Sequence, residues 1–186
     1  MVEKEMFDRI DFSVSGFEMG EYEGCEFKSC NFAGVDLMNV VFVECDFVEC
    51  DLSNAKIQNC AFKTVNFLKC KLLGLSFSEC HTFLLSLGGR ECVVDLSSFY
   101  KLKLKSTRFE NCKLHEVDFV ESDLTSASFV GSDLMGAVFD RTILDKCDFR
   151  NSFNYLIDLE KNRAKKAKFS ANGLSGLLYK YDIIVD

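Results

Sequence analysis

The chain has 186 residues, 48% of them hydrophobic, with 19 Phe, 10 Cys, no Trp, no Pro and a formal net charge of −7. That length supports one domain with a sizeable core and is short for two. The acidity argues against nucleic acid as a direct partner, since phosphate binding needs a basic footprint, and no apolar run reaches the roughly 18 residues of a membrane span.

The N-terminal stretch MVEKEMFDRIDF lacks the basic-then-apolar order of a signal peptide, so a soluble, cytoplasmic protein is expected. From residue 12 onward every fifth position is large and apolar. The series begins Phe12, Phe17, Tyr22, Phe27, Phe32 and ends Phe62, Phe67, Leu72, Phe77. A period of five fits neither the helix at about 3.6 nor the strand at about 2, so the chain must turn once per unit. The position two residues earlier is small and apolar, as in Cys25, Cys30, Val35, Val40, Cys45 and Cys50. Side chains two apart in an extended segment face the same way, so each unit is a short extended stretch with two inward residues. The residue between them faces water and is often Asp or Asn, as at Asn31, Asp36, Asp46 and Asp51, types that hydrogen-bond nearby backbone in turns.

The phase changes between Phe77 and Val94, after which Phe99, Leu104, Phe109, Leu114 and Phe119 continue the step as far as Phe149. An insertion of two residues in 78–93, or an equivalent deletion, accounts for it. Leu84, Gly89 and Val94 fit the second phase, which puts the irregularity near Ser78 to Phe83, as a bulge or kink. The expected organisation is one solenoid: a first run over 10–77, the break over 78–93, a second run over 94–155 and a C-terminal cap over 156–186. Within that cap, Ser170 is a candidate helix N-cap, with Leu174, Leu177, Leu178 and Tyr181 on one helical face. Ile183 to Val185 reads as a strand.

Stretches such as CEFKS-CNFAG-VDLMN and SDLTS-ASFVG-SDLMG-AVFDR resemble the pentapeptide-repeat family over roughly residues 10 to 155. The resemblance implies an all-β fold, a right-handed quadrilateral β-helix with four units per coil. Residues about 20 apart then stack, giving ladders Phe99–Phe119–Phe139, Phe109–Phe129–Phe149 and Leu104–Leu124–Leu144, about seven coils and a rod on the order of 30 Å long. In some relatives a C-terminal helix joins two rods, so Leu174, Leu177, Leu178 and Tyr181 are candidate homodimer contacts as well as a cap.

All ten cysteines occupy the small inward position, and no Cys-x-x-Cys pair is present, so they read as core residues, with no metal and no cofactor expected. Cysteines 20 apart would stack as neighbours, but a reducing compartment leaves them unpaired. His81 and His115 lack the company of a catalytic constellation, so no enzyme is expected. Lys161, Arg163, Lys165, Lys166 and Lys168 read as a solvated face. In the second run the charges are expected to alternate in columns: Lys101, Glu121 and Arg141; Lys103 beside Asp123; Lys113 beside Asp133.

Acidity is concentrated instead near the N-terminus. From Glu18 to Asp51 there are nine acidic residues and a single base, Lys28. Such a surface keeps a solenoid soluble. The resemblance to quinolone-resistance members adds a second reading, in which an acidic rod imitates DNA and binds DNA gyrase or topoisomerase IV. Glu23, Glu26, Glu44, Asp46, Glu49 and Asp51 are the candidate contacts. A general binding module for another protein is the alternative.

Overall fold

The computed structural model describes residues 1–184. They wind into a right-handed quadrilateral solenoid of about eight turns, one more than the repeat positions alone count. The extra turn comes from both ends. Val2–Glu3 pairs in parallel with Glu21–Glu23, Met6–Asp8 with Glu26–Lys28, and Lys168–Phe169 with Asp148–Phe149. At a coil spacing of about 4.8 Å the rod is on the order of 35–40 Å long.

Four faces follow one another in each coil. Face one carries the four-stranded parallel sheet Val2–Glu3, Glu21–Glu23, Val41–Val43 and Ala61–Lys63. Face two carries the six-stranded sheet Met6–Asp8, Glu26–Lys28, Asp46–Val48, Val65–Leu68, Leu87–Arg90 and Phe109–Glu110. Faces three and four are joined by single bridges such as Asn31 to Asp51 and Asp36 to Lys56. The register between coils is 20 residues throughout the first run, as in Phe27 to Phe47 and Phe42 to Phe62.

The apolar interior is a set of stacked ladders. On face two Phe7, Phe27, Phe47 and Phe67 lie with ring centroids 4.8, 4.7 and 5.1 Å apart. The Phe99–Phe119–Phe139 ladder has spacings of 5.3 and 5.2 Å, and Phe109–Phe129–Phe149 has 6.1 and 5.0 Å. Offset stacking at these distances adds to the burial of each ring. Leu104, Leu124 and Leu144 are fully or nearly fully buried in register on face one.

The corners are turned by residues in the left-handed region, among them Ser29, Asn39, Glu44, Glu49, Asn54 and Lys69, with φ between 51° and 61°. Asn tolerates this conformation better than most residues, whereas Glu and Lys do not favour it. The inter-coil hydrogen bonds on either side hold them there: the Glu44 amide donates to the Lys63 carbonyl and the Glu49 amide to the Leu68 carbonyl, both at 2.8 Å.

The register break is a bulge, placed slightly later than its expected position. The His81 amide still bonds the Cys60 carbonyl with the first-run spacing, while Val65 already pairs with Leu87, 22 residues on. The two extra residues therefore lie between His81 and Ser86. Leu84, expected to point inward, is 64% exposed at φ 60°, beside Phe83 at 65% exposed. Leu85, part-buried against the core, follows them. Phe77 stacks on Phe99 at 4.8 Å across the break, so the ladder of face four is uninterrupted. Face two changes its packing instead: buried Leu87 stands in the small position and Gly89 in the large one. That inversion keeps the local volume close to constant, which a packed core tolerates.

The C-terminal segment is more broken than one helix. Ala171–Gly173 and Tyr179–Tyr181 are 3-10 turns around the short α-helix Ser175–Leu178. The Ser170 side chain does not cap it; its hydroxyl accepts from the Asn151 amide at 2.9 Å. Leu177 is 9% exposed and closes the last coil, while Leu174 and Tyr181 are exposed at 45% and 54%. A Cβ on Gly176 would overlap the Tyr155 carbonyl, so glycine is what lets the segment seat here. Lys180 then ties it down through Asp158 at 2.8 Å and Glu160 at 2.7 Å. Ile183 and Ile184 form no strand, and Val185 lies outside the described residues.

Candidate interaction surface

The outward Asp and Asn residues first serve the fold. The Asn31, Asp36, Asp51, Asp118, Asp123, Asp133 and Asp148 side chains each accept a backbone N–H two residues on, at 2.8–3.2 Å. Each carboxylate or amide thus satisfies the turn that follows it.

The six candidate acids divide between two corners. Glu23, Glu26, Glu44 and Asp46 surround the corner between faces one and two, with Glu26 and Asp46 as Cα partners on adjacent coils. Glu21, which the sequence did not single out, stands on the same strand as Glu23. Its place at the outward position before Tyr22 was the available signal. Among the described residues the carboxylates of Glu23, Glu26 and Glu44 have no hydrogen-bond or ion-pair partner, and that of Asp46 accepts from the Asn66 side-chain amide at 2.9 Å. Glu49 and Asp51 sit at the next corner, between faces two and three. There Ser29 contacts Glu49 at 3.5 Å and Lys71 contacts Asp51 at 3.3 Å. Burial pushes the Asp51 carboxyl up, but Ser53 and Lys71 outweigh it and leave the pKa below its ordinary value. Of the two corners, the first carries no ion pair, while at the second Asp51 is paired and Glu49 is not.

In the second run Lys101 and Arg141 both reach Glu121, at 3.5 and 3.0 Å, as the column predicts. The other two columns stand in register as expected, Lys103 beside Asp123 and Lys113 beside Asp133, but the ion pairs form with other partners. Asp123 pairs with Lys105 at 3.4 Å rather than Lys103, and Lys113 pairs with Asp95 at 3.1 Å rather than Asp133. Asp133 instead meets His115 at 2.8 Å, and Asp145 meets Arg163 at 2.6 Å. Cα partners remain 20 apart, but long side chains reach the diagonal neighbour, 18 residues away, across the coil. Most of these pairs are solvent-exposed at one end, each worth about 0–1 kcal/mol. Of the basic run, Arg163 is engaged in this way, while Lys161, Lys165, Lys166 and Lys168 have no ion pair among the described residues.

Cavities offer little to chemistry. All ten thiols are free and buried. Burial raises Cys45 to about 11 and Cys80 and Cys147 to about 12, so these sulfurs stay protonated at neutral pH. The described residues hold no group of three His, Cys, Asp or Glu able to bind a metal. No helix among them is long and apolar enough to cross a membrane.

A rod of stacked four-sided coils with an outward polar surface defines a parallel β-solenoid, a class that presents surfaces rather than pockets. The profile described as a pentapeptide repeat region matches residues 15–99, and that of pentapeptide repeats matches residues 103–141. The chain belongs to the pentapeptide-repeat family. Comparison with curated proteins by sequence gives no match. Among solved structures it is similar to two trypsin-treated variants of QnrB1, a plasmid-mediated fluoroquinolone resistance protein. Both superpose with TM-score 0.50. Identity is 20% and 22%, with 99% and 98% of this chain and 100% and 99% of those chains covered. HetL, a pentapeptide-repeat protein of a Nostoc cyanobacterium involved in heterocyst differentiation regulation, matches at TM-score 0.37 and 17% identity, over 90% of this chain and 86% of that one.

Proposed function

We propose that this protein is a non-enzymatic interaction rod that presents the acidic corner of its first coils to a basic, DNA-binding groove, and that its partner is DNA gyrase or topoisomerase IV. The observation that carries the reading is the set of carboxylates Glu23, Glu26, Glu44 and Asp46 on one corner, three of them without a partner. Regular coil spacing places Glu26 and Asp46 about 4.8 Å apart along the axis, which concentrates negative charge on adjacent coils of this corner. Binding is then electrostatic and steric, with no bond made or broken. The likeness to QnrB1 supports fluoroquinolone resistance as the outcome. Glu49 and Asp51, partly compensated, contribute less. Exposed Leu174 and Tyr181 at the C-terminal end are the contacts of a homodimer, with Leu177 and Leu178 closing the coil beneath.

The ion-paired second run favours the alternative, a general module for another protein, because its diagonal pairs interrupt any continuous acidic stripe. A gyrase supercoiling and cleavage assay with and without ciprofloxacin separates the two. Protection of gyrase supports the topoisomerase reading, and neither protection nor inhibition at micromolar protein ends it.

A further inference from the structure

The corner that is acidic in the first coils is basic further along. Past Asn66 the outward column reaches Gly88, which has no side chain, and then Arg108. A Cβ on Gly88 would come within 3.1 Å of the Arg108 carbonyl oxygen, so any side chain there crowds the neighbouring coil. The resulting hollow at the corner of faces one and two is lined by Ser86, Gly88, Lys103, Lys105, Ser106 and Arg108. A second hollow on face two shares Gly88 and Arg108, and there Arg90 and Arg108 face the carboxylates Glu26, Asp46 and Glu110, so the two signs meet in it.

The cations here are not neutralised. Lys105 is held by Asp123, but Arg90, Lys103 and Arg108 are exposed and make no ion pair among the described residues. Glu110, the in-register neighbour of Arg90, accepts from the Ser128 hydroxyl at 2.8 Å and remains a negative charge beside Arg90, so the excess of positive charge lies at Lys103 and Arg108. Asp46 and Arg108 are three rungs apart, about 14 Å along the axis. Asn66 and Gly88 separate them in the column, and the hollow they border is where the sign of the surface changes.

We propose that Lys103 and Arg108, on the hollow whose lining holds no acid, form a carboxylate-reading patch that fixes the direction and depth at which the rod enters its partner. A uniformly acidic rod fits a basic groove in either direction and slides along it. Reversal of sign three rungs away allows only the placement in which acidic side chains at the groove's rim meet the basic patch. The inference rests on the groove-binding reading, and it opposes simple mimicry in sign.

The test is gyrase affinity of the full chain and of Lys103→Glu/Arg108→Glu, each checked for an unchanged circular dichroism spectrum. Simple mimicry makes the reversed corner a better polyanion, with equal or tighter binding; that result overturns the inference. The patch predicts binding weakened tenfold or more. If the unaltered chain does not bind gyrase, the groove-binding reading fails, and titration with poly-L-glutamate followed by amide NMR decides the patch. Shifts confined to 86–90 and 103–108, abolished in the double variant, support it. No shift, or shifts with a DNA duplex but not with poly-L-glutamate, overturns it.

Discussion

The Cys50 amide donates to the Cys70 thiol at 3.4 Å, one coil further along, and that thiol donates to the Phe47 carbonyl at 3.3 Å. The arrangement repeats through Cys30, Cys50, Cys70, Cys92 and Cys112 at the corner between faces two and three, and ends on Ser132, whose hydroxyl takes the Cys112 amide at 2.9 Å. These amides lack the bond to the carbonyl three residues back that closes other corners, such as Ala55 to Leu52. The small inward residue at this corner is therefore a hydrogen-bonding group as well as a space-filler.

Serine should replace cysteine there better than alanine does. Cys70→Ala strands the buried Cys50 amide, which costs about 1–3 kcal/mol, whereas Cys70→Ser retains most of the stability. Urea denaturation midpoints check the order, and equal midpoints for the two variants would show that the thiol only fills space.

Alkaline pH should destabilise the rod through its buried thiols. With burial raising Cys45 to about 11 and Cys80 and Cys147 to about 12, above the ordinary thiol range, the folded state keeps protons that the unfolded state releases. Their contribution is complete below about pH 9 and is lost as pH rises through the folded values. Melting temperature against pH should fall from about pH 9, less steeply with serine at these three positions.

The C-terminal segment depends on two glycines against Tyr155, Gly173 and Gly176, and on one lysine. Gly176→Ala forces a methyl group against Tyr155 and should cost about 1–3 kcal/mol. Lys180→Met removes both contacts to Asp158 and Glu160 and should raise hydrogen exchange over 171–181 while sparing the coils before residue 150. Unchanged exchange would show that Leu177 alone holds the segment.

The period of five made the rungs, the Phe ladders and the inward cysteines legible, because each follows from which residues share a side. What escaped it depends on side-chain reach or local backbone. Leu84 is apolar and in phase, yet its left-handed conformation turns it outward. Lys103 and Asp123 are register partners, yet Lys105 reaches that carboxylate diagonally. Apolarity explained why cysteine is buried; only the corner geometry shows that its sulfur accepts a backbone proton. The split of six candidate acids into an open corner and a partly compensated one needed Ser29, Ser53 and Lys71 in place.

Affinity for gyrase against salt, for the unaltered chain and for Glu26→Lys/Asp46→Lys, tests the central claim most directly. An acidic corner seated in a basic groove predicts binding that weakens steadily as salt rises and falls at least tenfold in the variant. Binding that is insensitive to both salt and the charge reversal would contradict it.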